Sequence, residues 1–210
     1  MRHPRCSDSN PRMIANLSIL PALAIGYLLG SIPFGLILTR LAGKGDIRDV
    51  GSGNIGATNV LRTGSKPLAA ATLLLDALKG TAAVLIAQHY WPAAAHIAAA
   101  GALIGHLYPV WLRFRGGKGV ATLLGVLIAL LAPAALVYAL VWIGLLLIVR
   151  ISSAAGIAAA ASAPVSAMLL GRPDLAPILG GFAVLVIWKH RENIGRLRAG
   201  TEPRVGRSPA

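Results

Sequence analysis

Charge is what this chain has least of. Only 13% of its residues are charged, against about 25% in an ordinary soluble domain. Acidic residues are scarcer still: seven Asp and Glu stand against twenty Lys and Arg, for a net charge of +13. A single cysteine, Cys6, excludes a disulfide framework. No Gly-Lys-Ser/Thr ending follows any Gly-rich stretch, which excludes a Walker phosphate loop. The apolar runs are continuous rather than alternating, which argues against a transmembrane barrel. No small-residue cleavage site closes the first apolar run, so a cleavable signal peptide is not expected.

Apolar length is what the chain has in quantity. It is 56% hydrophobic with mean hydropathy +0.70, and runs of about 18 or more apolar residues mark membrane-spanning helices. We read an all-α membrane protein with seven segments, near 14–39, 67–88, 92–112, 118–131, 134–149, 152–170 and 175–189. Pro21 and Pro33 fall inside the first. The stretch 120–149 is too long for one span at 1.5 Å per residue, and Ala132-Pro133-Ala134 offers the break. A five- or six-span arrangement competes, because the fourth segment is short. The expected organisation is a disordered extension over 1–12, a single transmembrane domain over 13–200 and a tail over 201–210, with Met13 an alternative start. Most Lys and Arg fall in loops 40–66 and 113–118, at Arg150 and after Lys189. The positive-inside rule then puts the N-terminus outside and the C-terminus in the cytoplasm. Positives confined to such loops point to lipid headgroups or phosphorylated substrates rather than nucleic acid.

Three polar clusters fall on that same side. The first spans residues 46–62 and holds "VGSGNIGATNVLR", Val50 to Arg62. Its glycines allow close approach of backbone N–H groups to an anion, Ser52, Asn54, Thr58 and Asn59 add hydrogen-bonding groups, and Arg62 adds a planar fork suited to phosphate. A plain Gly-rich connection is the alternative. The second is "RFRGGKGVAT", Arg113 to Thr122, where Gly116, Gly117, Lys118 and Gly119 open an apolar helix, a favourable place for an anion. A positive-inside anchor is the alternative there. The third is "WKHRENIGRLRAG", Trp188 to Gly200. His190 and Asn193 are three apart and share a face if the last helix continues; a basic exit from the membrane would look similar.

Asp76 and Lys79 lie inside the second span. Each costs roughly 2.5–3.5 kcal/mol at mid-bilayer on insertion scales, so the i, i+3 spacing predicts a structural pair facing the bundle, or a Lys79 lying near the interface; a role in proton or ion movement is the lesser alternative. His89, His96 and His106 have no evident partner, and a local hydrogen bond is expected for His106. His3 and Asp8 match the His-x4-Asp pattern of another acyltransferase group, but they precede the first span on the opposite side and are discounted.

From Ala24 to Arg198 the chain resembles the bacterial acyl-phosphate:glycerol-3-phosphate acyltransferase family. The likeness rests on "LLGSIPFG", "VGSGNIGATNVLR", "GHLYPVWLRFRGGKGVAT" and "HRENIGRL", in this order. It implies a seven-span enzyme of the bacterial inner membrane with its site facing the cytoplasm. The implied reaction moves an acyl group from acyl phosphate to the 1-hydroxyl of glycerol 3-phosphate, without metal, cofactor, nucleic acid or obligate protein partner, among membrane lipids. Carried onto this sequence, Arg62, Lys118, His190 and Asn193 hold glycerol 3-phosphate. Ser52, with the backbone of Gly51, Gly53 and Asn54 and the turn of Gly116, Gly117 and Gly119, holds the acyl phosphate or the developing oxyanion. Ser52 and His190 are the catalytic candidates, and the proton acceptor is either His190 or a substrate phosphate oxygen. A transporter of phosphorylated small molecules is the rival reading. It would place its anion sites at the bilayer midplane between inverted repeats, whereas these motifs gather at one face.

Overall fold

The computed structural model describes residues 11–206, with side chains from Ser18 onward. Cys6 and the His3/Asp8 pair lie outside the described residues, as does most of the expected 1–12 extension; Pro11 and Arg12 already belong to the first helix.

Among the described residues the chain is helical and has no strand. Helix α1, Pro11–Gly30, runs through Pro21 without ending and stops before Pro33, where α2, Phe34–Leu41, begins. The residue before a proline disfavours helix, and Ile32 takes that position. A short α3, Ala57–Leu61, follows the first Gly-rich loop. Helix α4, Lys66–Tyr90, starts on Ser65, whose side chain accepts from Leu68 N–H. Helix α5 is Ala95–Leu107 and α6 is Val120–Leu130. Helix α7, Ala132–Val149, follows directly, with Leu131 as the joint and Pro133 in its first turn. Pro needs no N–H partner at that position, so the expected break falls at Leu131. Helices α8, Ser152–Leu169, α9, Ala176–Lys189, and α10, Arg191–Arg198, complete the order.

Among the described residues, five segments are long and apolar enough to cross a membrane: Ser18–Leu41, Lys66–Tyr90, Pro92–Leu112, Ala132–Val149 and Ser152–Leu169. Helix α6 is apolar but only 11 residues long, about 16 Å at 1.5 Å per residue, roughly half the hydrocarbon thickness. Leu74, Leu85, Leu140, Leu147 and Ile148 are exposed, as suits a bundle surrounded by lipid. Inside, small residues let backbones meet. A Cβ on Gly30 would lie 2.0 Å from Ala102 O, locking α1 against α5. A Cβ on Gly125 would lie 1.8 Å from Ala77 O, locking α6 against α4. Thr81 Oγ1 donates to Gly125 O across the same contact, 2.8 Å. These tight pairs fix the helix ends from which the polar loops leave.

Candidate active site

The first Gly-rich loop is organised by Asn59, which is buried. Its Nδ2 donates to Ile47 O and Val50 O, at 2.9 and 2.8 Å. Its Oδ1 accepts from Ser52 N–H at 3.2 Å and Ser52 Oγ at 3.4 Å. Gly53 N–H donates to Val50 O, so the N–H groups of Ser52 and Gly53 are already engaged inside the loop. The Arg62 side chain lies across Gly51: a Cβ there would sit 2.4 Å from Arg62 Nη1. Ser52 is exposed, and its hydrogen bonds go to Asn59 rather than to Lys118, His190 or Asn193. Asp46 anchors the approach to this loop by binding Arg40 and Arg48. Its carboxyl lies far below the usual range, chiefly through the Arg48 hydrogen bond.

The second loop is held by α5. Gly117 N–H donates to His106 O at 2.9 Å and Gly116 N–H to Leu107 O at 3.2 Å. These two glycines therefore act through close packing on the end of α5, and their N–H groups are not turned outward for an anion. Gly119 has φ +86°, a left-handed conformation that suits glycine, and a Cβ there would collide with Leu103. Lys118, fixed between them, donates to Asn193 Oδ1. Burial lowers its pKa to about 8, and the charges of Arg196 and Arg62 act in the same direction.

The third cluster closes the site. The helix does not run on unbroken: α9 ends at Lys189 and α10 starts at Arg191, with His190 between them. Ile194 N–H donates to His190 O across this joint, and His190 and Asn193 are both buried. His190 Nδ1 lies 2.7 Å from Val186 O. A carbonyl only accepts, so Nδ1 carries the proton and Nε2 is an acceptor. Burial first, and the charge of Lys118 after it, lower the His190 pKa to about 4 against the opposing pull of that carbonyl. Nε2 faces Gly156, where a Cβ would be 3.6 Å away.

Glu202, which the sequence reading assigned to a separate tail, belongs to the site. Its Oε1 accepts from Asn193 Nδ2 at 2.5 Å and Ser153 Oγ at 2.6 Å; its Oε2 accepts from Arg196 Nε at 2.7 Å. Burial raises its pKa, but these hydrogen bonds outweigh it and the net shift is downward. Val205 N–H donates to Arg150 O, strapping the tail across the joint between α7 and α8. At the start of α8, Ser152 Oγ lies 2.8 Å from Thr58 Oγ1. One continuous path thus runs from α3 through Ser152, Ser153, Glu202 and Asn193 to Lys118. The sequence reading missed Ser152, Ser153, Arg196 and Glu202. The available signal was a glutamate, among only seven acidic residues, set in a strongly basic tail.

Asp76 and Lys79 do pair, at 2.7 Å. His106 makes no local side-chain bond; its partner is Lys79, 2.9 Å from Nδ1. Among the described residues no group of three or more His, Cys, Asp or Glu could hold a metal.

Fold and site together define a helical integral membrane protein with a basic, Gly-rich polar site built by three loops at one end of its bundle. Residues 20–200 match the family described as Glycerol-3-phosphate acyltransferase. The glycerol-3-phosphate acyltransferase of Mesorhizobium japonicum is 58% identical over 188 residues, 90% of this chain and 96% of that protein. The enzyme of the same name from Brucella anthropi is 59% identical over 191 residues, 91% and 95%. The crystal structure of PlsY, an integral membrane glycerol 3-phosphate acyltransferase, in its glycerol 3-phosphate form superposes with a TM-score of 0.85 at 41% identity, covering 90% of this chain and 96% of that one. Its lysophosphatidic acid form gives 0.83 at 40% over the same shares. The chain belongs to the glycerol-3-phosphate acyltransferase family, a family of membrane-embedded enzymes.

Proposed function

We propose that this chain transfers an acyl group from acyl phosphate to the 1-hydroxyl of glycerol 3-phosphate, at the cytoplasmic end of a seven-span bundle in the bacterial inner membrane, C-terminus inside. The observation that carries this reading is the convergence of Lys118, Asn193 and Arg196, with the buried His190 beside them, on one half-buried carboxylate, Glu202. The resemblance to a relative whose structure is a glycerol 3-phosphate form supports the acceptor.

Lys118 and Arg62 bind the phosphate of glycerol 3-phosphate, and Asn193 is oriented for it by its two opposite bonds, to Lys118 and to Glu202. Ser52 and the exposed first loop meet the acyl phosphate. In the transfer the glycerol oxygen bonds to the acyl carbon, the carbon–oxygen bond of the anhydride breaks, and phosphate leaves. Phosphate leaves readily, so placing and charge stabilisation suffice. Neutral His190 accepts a hydrogen bond from the 1-hydroxyl at Nε2. With its pKa at about 4 it is a weaker base than a phosphate with second pKa near 6, so the proton ends on a substrate phosphate oxygen. The acyl chain enters an apolar cleft of about 110 Å³ between α4, α6 and α7, walled by Leu73, Val120, Leu124, Tyr138 and Trp142. Val120 also reaches the neighbourhood of Gly156, which His190 Nε2 faces, so cleft and acceptor site adjoin.

Purified enzyme given acyl phosphate and glycerol 3-phosphate is expected to release inorganic phosphate and 1-acylglycerol 3-phosphate in equal amounts. Activity with an acyl thioester and none with acyl phosphate would refute the donor. No product from either donor would return the chain to the transport reading.

A further inference from the structure

Three titratable groups outside the acyl-transfer site share one buried cluster. Asp76 and Lys79 stand on α4 and His106 on the last turn of α5; all three are buried. Lys79 Nζ is hydrogen-bonded to Ile32 O at 2.8 Å and His106 Nδ1 at 2.9 Å, and it forms an ion pair with Asp76 Oδ1 at 2.7 Å. An ammonium only donates, and this has a consequence for the histidine. Nδ1 must accept, because a proton there would point at the ammonium, and a charged imidazole would set two cations 2.9 Å apart. Asp76 Oδ1 is 3.7 Å from Nδ1, too far for a direct hydrogen bond. His106 is therefore neutral with its proton on Nε2.

That Nε2 edge faces the second Gly-rich loop. A Cβ on Gly117 would fall 2.1 Å from Nε2, while Gly117 N–H donates to the His106 carbonyl. The loop is thus gripped by both ring and backbone of one residue, immediately before Lys118. Ile32 lies at the break between α1 and α2, so Lys79 ties that break, α4, α5 and the loop to a single point. Plain apolar packing would fill the same space without the insertion cost of two ionisable groups; it would not supply these directions.

We propose that Asp76, Lys79 and His106 form a buried positioning relay that holds the Nε2–H edge of His106 against Gly117 and so fixes the place of Lys118. Its effect on substrate binding rests on the assignment of Lys118 to the phosphate of glycerol 3-phosphate.

The test uses the full chain in detergent. Nitrogen-15 NMR of ring-labelled enzyme is expected to show His106 protonated on Nε2 alone; the opposite tautomer or a charged ring overturns the relay. His106→Asn keeps an acceptor for Lys79 and removes the outer half of the ring. It is expected to speed hydrogen exchange in segment 113–119 at least tenfold, and to raise the KM for glycerol 3-phosphate at least tenfold with kcat within threefold. Unchanged exchange overturns the proposal. Gly117→Ala is expected to lower kcat/KM at least a hundredfold in the native background and less than threefold in the His106→Asn background, where the ring no longer meets the new methyl. An equal loss in both backgrounds overturns it. The control is Lys118→Gln. If it leaves KM unchanged while exchange and tautomer come out as expected, the relay stands and the assignment of Lys118 falls.

Discussion

Two of the molecule's charge clusters, around Lys79 and around Lys118, are built differently. Around Lys79 the polar groups are sealed: one cation, one carboxylate, one carbonyl and one imidazole meet inside the bundle. Around Lys118 the cations outnumber the carboxylates. Lys118 feels Arg196 and Arg62 together with Glu202 and Glu192, three cations against two carboxylates, leaving positive charge over for an anion. Excess charge of one sign is what a phosphate site requires, whereas a structural cluster has to be balanced.

The largest effect should come from unbalancing the sealed cluster. Lys79→Met leaves Asp76 charged and unpaired, which costs about 3–5 kcal/mol for a buried pair. The expected result is loss of monodisperse protein on purification, with recovery when Asp76→Leu is added. Equal recovery of single and double variants would erase the distinction between the two regions.

A smaller effect is expected at the open site. His190→Gln should raise the KM for glycerol 3-phosphate about tenfold, the value of one hydrogen bond to a charged or reacting group, while kcat at saturation stays within threefold. Steady-state kinetics would show otherwise if His190 were the essential base, because kcat itself would collapse.

The smallest effect is the pH response of Lys118. Its pKa is lowered to about 8, so it is charged below that pH and loses its proton as pH rises through it. Affinity for glycerol 3-phosphate should fall about three- to tenfold between pH 7 and pH 9, in line with losing the charge from one charge-assisted contact. In Lys118→Arg, whose guanidinium stays protonated, that fall should vanish. Isothermal titration across the pH range measures both.

The sequence showed more of the helices than of the site. Long apolar runs and prolines are local signals, so the break at Leu131 and the ends of α8 and α9 lay within a residue or two of their expected places. The i, i+3 spacing of Asp76 and Lys79 predicted their pair for the same reason. His106 was misread because its partner is 27 residues away on another helix, a distance no spacing rule covers. The glycines of the second loop looked like an anion cradle, but Gly116 and Gly117 are small because α5 presses on them; sequence does not separate the two needs. Glu202 was missed because a tail beyond the last apolar segment carries no periodicity, and only the fold brings it back onto Ser153 and Asn193.

The most direct measurement is the KM for glycerol 3-phosphate in Lys118→Gln, alongside its thermal transition. Removing one charged contact to phosphate, worth about 1.5–3 kcal/mol, should raise KM more than tenfold while the transition stays put, because this lysine belongs to the open, unbalanced site. A KM equal to that of the native enzyme, or a loss of stability like that of Lys79→Met, would contradict the division between a phosphate site and a sealed support beneath it.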